Sequence, residues 1–385
     1  MTTNPTPHKE TPHKETSLTE AARLNADPNS PVEISWFAAL CDDDYAQLGV
    51  TDQSLRSSWG HCRDIALTAE HAGFDNILLP SGYELGIDSI SFAGGMSPLL
   101  KHMQMLVAVR CGEMWVPQLA RQLATLDQML DGRLTINIIS SDMPGETLES
   151  AARYRRTLET MQVLRALLNG EDVAFHGEFV NLEVTAASAQ PVSGSCPPLY
   201  FGGLSDDARD VAAQEADVYL MWPDLIPEVA SIIGDMRKRA DTYGRALRFG
   251  YRAHVIVRET DEEAHAAAAQ LVEALDPAEG KRIRERSLDH SSAVVRRQAE
   301  LRESSSDDGF VEDALWTGVG RARSGCGAAI VGSPEQVIHK LREYQSLGIE
   351  AFILSGYPHI EEAEHFARLV LPEITHAPLR SFANF

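Results

Sequence analysis

The run Tyr251–Thr260 reads YRAHVIVRET and carries two side chains that could do chemistry. Side chains of a strand alternate between its two faces. Tyr251, Ala253, Val255 and Val257 share one face, while Arg252, His254, Ile256 and Arg258 share the other. The first set suits a layer of helices, which sends Arg252 and His254 to the inner side. An inward histidine alone is an ordinary satisfied core group. An inward arginine beside it is different, because a buried guanidinium without a counter-ion is costly. Arg252 therefore calls for an anion from the protein or from a ligand. His254 could act as an acid or a base near neutral pH.

Four other stretches carry polar groups at element ends. SGYPHIEEAEH places Tyr357 and His359 just past a β-type run. His359, Glu362 and His365 have helical metal-site spacing, but acidic residues at a helix start complement the helix dipole, and no metal is expected. GVGRARSGCG is glycine-rich, yet it follows no strand and opens no helix at dinucleotide-binding spacing. Its Arg321 and Arg323 could swing over a bound anion. FGGLSDDARD starts a helix, so its backbone N–H groups and Ser205 could hold a phosphate. IISSDMPGE offers Ser140 and Ser141 in the same way.

These groups need a scaffold that brings strand ends together. Apolar β-type runs occur at 34–40, 74–80, 103–109, 133–139, 198–203, 216–222, 249–259 and 350–357, with amphipathic segments between them. The segment before Gly73 ends on a good C-cap residue, the segment before Gly132 ends likewise, and GSPEQVIHKLREYQSLG opens with Ser333 as N-cap and Pro334 at the first helical position. Strands alternating with helices predict a parallel sheet, and eight of them predict a closed α/β TIM barrel, (β/α)8, over residues 31–385. An open doubly wound sheet would be expected to carry a glycine fingerprint after its first strand, and none is there. Two insertions interrupt the alternation. Residues 170–197 read as a β-hairpin around His176–Gly177, and the charged stretch 275–327, between strands 7 and 8, reads as a mobile lid. Residues 1–30, with their PHKETPHKET duplication, read as a disordered or loosely docked tail.

Composition narrows the function. A net charge of -22 over 385 residues argues against nucleic acid or an anionic membrane as partner. Five cysteines without a CxxC pair fit neither a disulfide framework nor a zinc ribbon, and a cytoplasmic location is expected. The first strand lacks the H-x-H of zinc hydrolases on this fold.

The chain resembles the bacterial-luciferase-like flavin monooxygenases, in the branch of the two-component alkanesulfonate monooxygenases. The resemblance spans about residues 34–375 and is carried by ARQLATLDQMLDGRLTINII, PPLYFGGLSDDARDVAAQEADVYLMW, RFGYRAHVIVRETDEEA, LWTGVGRARSGCGAAIVGSPEQV and LSGYPHIEEA. It implies FMN reduced by a separate NAD(P)H-dependent flavin reductase, O2 as co-substrate, a flavin peroxide that oxidises an organic substrate, and a homodimer or homotetramer. Carried over by motif, Arg252, His254, Arg323, Tyr357 and His359 match the active-site set. Tyr154 and Ser205 match residues near the FMN phosphate, with Ser140 and Ser141 nearby, and Trp222 matches a pocket aromatic.

The substrate mouth departs from the sulfonate enzymes. Cys41 stands where they have a histidine and is followed by Asp42, Asp43 and Asp44; about Leu85 replaces their cysteine after strand 2. Cys41, Tyr83, Leu85 and Trp36 are expected to line a pocket for a larger or less anionic substrate. Riboflavin, cleaved to lumichrome as by a riboflavin lyase, is the alternative. A non-catalytic flavin-binding protein and a deazaflavin-dependent reductase are further alternatives on the same barrel.

Overall fold

Each of the eight apolar runs forms a strand: β1 Glu33–Phe37, β2 Asn76–Leu79, β3 Gln104–Arg110, β4 Leu134–Ile139, β5 Leu199–Phe201, β6 Val218–Met221, β7 Arg248–Val257 and β8 Ala351–Ser355. They pair in parallel around a closed circuit, with β6 joined to β7 and β8 to β1. Helices cover the outside, giving the (β/α)8 barrel. The computed structural model describes residues 30–286, 292–323, 325–383 and 385. The expected tail, with its PHKET repeat, lies outside the described residues. Among the described residues no helix is long and apolar enough to cross a membrane.

Local chemistry explains where the helices start and stop. Trp59–Ala72 begins where Ser58 accepts from the His61 N–H and ends on Gly73 in the left-handed region, φ 93°. Pro334–Leu347 opens with a full capping box between Ser333 and Gln336. The outward faces of the strands make the main core. Tyr251, for instance, stacks on Tyr344 of that helix at 4.2 Å.

The floor of the barrel is polar and closed. Glu33 is fully buried and accepts from Ser35 Oγ, Asn76 Nδ2, Tyr200 Oη and the Leu379 N–H. The short helix Leu379–Phe382 covers this end. Burial pushes the Glu33 carboxyl up, and the hydrogen bonds of Leu379 and Asn76 oppose that shift.

Both insertions carry secondary structure among the described residues. Val173–His176 and Asn181–Val184 form the expected antiparallel hairpin, with Val173 opposite Val184. The 275–327 insertion carries helices Pro277–Glu285 and Ala293–Glu303, then strands Phe310–Glu312 and Leu315–Trp316. An additional strand, Ala329–Gly332, follows it and pairs in parallel with the upper half of β7, from Ala329 opposite His254 to Gly332 opposite Val257. β7 thus has ten residues: its lower half closes the barrel and its upper half carries the insertion.

Candidate active site

The C-terminal ends of the strands surround a cavity of about 370 Å³. The insertion lies over it and contributes Ile283, Arg297, Gln298, Arg323 and Gly325 to its wall. Among the described residues three ion pairs fasten the insertion to the barrel, one of them from Lys340 to Glu312 at 2.6 Å. Arg297 grips Asp224, past the end of β6, with two bonds of 2.7 Å. Arg323 donates to Asp43, past the end of β1.

β7 delivers Arg252 to the cavity wall, as its alternation requires. The side chain is almost fully buried, and its hydrogen bonds go to the carbonyls of Ala253 and Ile353 and to Ser355 Oγ, all neutral oxygens. Its guanidinium lies 4.4 Å from the centre of the Phe37 ring, a cation–π contact. Burial lowers Arg252 to about 10, with Arg323 adding to the push, so the group remains a cation at neutral pH. His254, two residues on, sits behind the wall. Its Nδ1 is 2.8 Å from Ser355 Oγ, and its Nε2 has no protein partner. Burial, then Arg252 and Arg323, hold its imidazole well below the usual range.

Behind Phe37 the residues following β8 complete a polar cluster. Arg323 Nη1 donates to Tyr357 Oη at 3.0 Å, and the Tyr357 ring lies 5.0 Å from that of His254. His359 is fully buried, stacks beside Phe37 at 6.0 Å and leaves both ring nitrogens without a partner. Burial lowers its imidazole, against the pull of Asp44 and Asp43. For Arg323, burial alone would lower the guanidinium, but Tyr357 and Asp43 more than reverse that. So Arg252, His254, Arg323, Tyr357 and His359 come together, with two arginines on the wall and the other three behind it.

The three aspartates do not act as one negative patch. Asp42 is tied to Arg56 and Ser57. Asp44 pairs with His61 and accepts from the backbone of Tyr45 and His359. Only Asp43 lines the cavity, and Arg323 neutralises it. The expectation that this run repels an anion fails for that reason: each carboxylate already has a cation or a set of N–H donors.

The far wall is built from β4, β5 and β6. Ser140 lines the cavity and accepts from Thr157 Oγ1, and Tyr154 and Trp222 line it as well. Ser141 turns away to the Asp142 carbonyl, and Ser205 caps the helix Asp206–Glu215 through the Ala208 N–H. Neither of these serines is on the wall, although Gly202 and Gly203, just before Ser205, are. At Gly202 a Cβ would lie 2.0 Å from the Leu220 carbonyl, so the backbone there is pressed to the neighbouring strand and leaves room above a helix N-terminus. That cradle, with the Tyr154 hydroxyl, suits a phosphate group.

On the substrate side Cys41, Tyr83 and Leu85 all line the cavity. Burial, reinforced by Asp43, pushes the Cys41 thiol up to about 12, so it is no nucleophile at neutral pH. Trp36 does not line it. On β1 the inward residues are Glu33, Ser35 and Phe37, and Trp36 packs outward against Phe74 at 5.0 Å. Phe37 takes the place expected for Trp36. Sequence reasoning also missed Arg110 and Asn137 on the wall and Ser355 behind it. Arg110 ends β3, a position that the strand run itself signals.

The family profile described as "Luciferase-like monooxygenase" matches residues 33–351. The sulfoquinovose monooxygenase of Novosphingobium aromaticivorans is 59% identical over 354 residues, covering 90% of this chain and 98% of that protein. The sulfoquinovose monooxygenase of Agrobacterium fabrum is 50% identical over 344 residues, covering 89% of each. A crystal structure of riboflavin lyase with modified FMN and riboflavin superposes with a TM-score of 0.71 over 91% of this chain and 92% of that one, at 15% identity, a likeness of fold alone. The riboflavin alternative is therefore not favoured, nor are the storage and deazaflavin readings, since the near relatives are named monooxygenases. By its profile match and these relatives, the chain belongs to the luciferase-like monooxygenase family and is an enzyme of flavin-dependent oxygenation.

Proposed function

We propose that this enzyme uses reduced FMN and O2 to oxygenate a sulfonated sugar of the sulfoquinovose type, releasing sulfite. The observation that carries the reading is Arg252, a buried cation on the cavity wall with only neutral oxygens around it. A sulfonate supplies the missing anion. The relatives named for sulfoquinovose support the same choice. The substrate is thus larger than a short alkanesulfonate but no less anionic, which revises the expectation drawn from Asp42–Asp44.

The residues present suit FMN. Gly202, Gly203, the start of the Asp206–Glu215 helix and Tyr154 would hold its phosphate, with Ser140 at the adjoining wall. When bound and reduced, the flavin supplies the electrons that activate O2. Arg252 orients and neutralises the anionic substrate beside the Arg323–Asp43 pair, Phe37 holds both guanidinium groups in place, and the insertion excludes water. Behind the wall, Tyr357 accepts from Arg323, and His254 shares the Ser355 hydroxyl with Arg252, so both hold the arginines in place. The reduced flavin comes from a separate NAD(P)H-dependent reductase.

The test supplies the purified enzyme with chemically reduced FMN, air and, in parallel, sulfoquinovose, octanesulfonate or riboflavin. Sulfite from sulfoquinovose is the expected product. No sulfite from either sulfonate, or lumichrome from riboflavin, would overturn the proposal.

A further inference from the structure

Ser355, at the end of β8, is fully buried and lies directly opposite His254 in the strand register. Its Oγ is 2.7 Å from Arg252 Nη2 and 2.8 Å from His254 Nδ1, and it has no other hydrogen-bond partner among the described residues. We infer that Ser355 is a positioning residue that fixes the tautomer of His254, leaving Nδ1 bare and the proton on Nε2. This deepens the monooxygenase reading, on which only its kinetic test rests.

The argument is a count of protons. A guanidinium has five N–H donors and no acceptor, so Arg252 must donate to Oγ. The serine hydroxyl carries one proton. If that proton goes to Nδ1, both bonds of Oγ are made and the one group left without a protein partner is the Nε2 N–H. If Nδ1 carried the proton, it would donate to Oγ, and both the hydroxyl proton and the bare Nε2 would be left without a partner. Two buried polar groups left unmade cost more than one. The first arrangement therefore stands, and Arg252 selects it by occupying the oxygen.

The ring is neutral in this arrangement. Burial, then the charges of Arg252 from β7 and Arg323 from the insertion and the His359 ring, hold its imidazole well below the usual range. Tyr357 covers its face. Nε2 has no protein partner, so its N–H is the free end of the chain Arg252–Ser355–His254. A neutral imidazole held this way donates a hydrogen bond at Nε2. It does not accept a proton there, so His254 is not a general base. Of the two roles open to His254 from the sequence, the wiring leaves one.

The experiment uses the full chain labelled with 15N-histidine, with the His254 signals assigned by their loss in His254→Gln. Long-range 15N–1H correlation distinguishes the two tautomers. The Nε2–H form is expected throughout about pH 6 to about 8. Ser355→Ala should shift His254 towards the Nδ1–H form or a mixture, and Ser355→Thr should restore the wild-type pattern. In the sulfite assay Ser355→Ala should lower kcat about tenfold, with KM for the sulfonate within about twofold of wild type, and Ser355→Thr should recover kcat. An Nδ1–H ring in the wild type, or an unchanged tautomer in Ser355→Ala, would overturn the inference. If Ser355→Ala fails to fold, the wild-type spectrum decides alone. Absence of turnover with every sulfonate would sink the substrate reading and leave the tautomer result standing, so the two failures are distinct.

Discussion

Replacing Asp43 by alanine tests how the cavity wall is held. Asp43 and Arg323 are 280 positions apart in the chain, and their side chains are only 10% and 16% exposed. Without the carboxylate, Arg323 keeps Tyr357 Oη at 3.0 Å and the Phe37 ring at 5.4 Å, but no counter-ion. Removing one partner of a buried pair costs about 3–5 kcal/mol. The residual exposure of Arg323 points to the lower end, about 3 kcal/mol. Unfolding entropy is about 2.1 cal/mol/K per residue, so for 385 residues it is about 0.8 kcal/mol/K, and the loss corresponds to a fall in Tm of about 4 °C. Asp43→Asn keeps an oxygen for Nη1 and should fall by about half as much. Scanning calorimetry measures the shift, and the sulfite assay should show kcat/KM lower by about tenfold or more as Arg323 leaves its place. The double variant Asp43→Ala/Arg323→Ala should be more stable than the sum of the single effects predicts, because neither charge is then left alone. An Asp43→Ala enzyme with wild-type Tm and wild-type kcat/KM would refute the reasoning.

Arg252→Lys keeps the charge but cannot reach the Ala253 carbonyl and Ser355 Oγ together, so kcat/KM for the sulfonate should drop by about a hundredfold with an unchanged circular dichroism spectrum; a loss below about threefold would remove Arg252 from the site. On the barrel floor, the hydrogen bond that His376 donates to Asp75 raises its pKa above the ordinary value of 6.5. A raised histidine stabilises the fold fully below its unfolded pKa and loses that contribution as pH rises through the folded one. Urea unfolding should therefore show wild type exceeding His376→Gln by more at about pH 5.5 than at about pH 8.5, by up to about 1 kcal/mol for this partly exposed pair, and an equal difference at both would contradict the assignment.

Much of this was legible in the chain. Runs of Val, Ile and Leu located all eight barrel strands, and the alternation of YRAHVIVRET aimed Arg252 and His254 correctly, because its outer face is uniformly apolar. The same logic failed on β1. There the inward set is Glu33, Ser35 and Phe37, since the barrel floor buries a carboxylate, and a polar set with one aromatic reads as a solvent face. Trp36 was misplaced for that reason. The meaning of Asp42–Asp44 was hidden by distance: their partners Arg56, Arg323 and His61 are set by the fold, and a run of acids gives no sign of being neutralised. Ser355 was overlooked because a serine in LSGY has no pattern of its own until the register sets it against His254. The strand Ala329–Gly332 was missed because four residues beside a helix cap carry too little periodicity.

The length of β7 has a mechanical meaning. The His254 N–H donates to the Ala328 carbonyl at 3.0 Å, and the ladder continues from there to Gly332. The cover of the cavity is therefore rooted in the backbone of the residue it shields. Upstream of Ala328, among the described residues, the insertion is tied to the barrel ionically through Arg323, Arg297 and Glu312. The bed on which Arg252, Ser355 and His254 are aligned is thereby bonded through the main chain to the strand that follows the insertion.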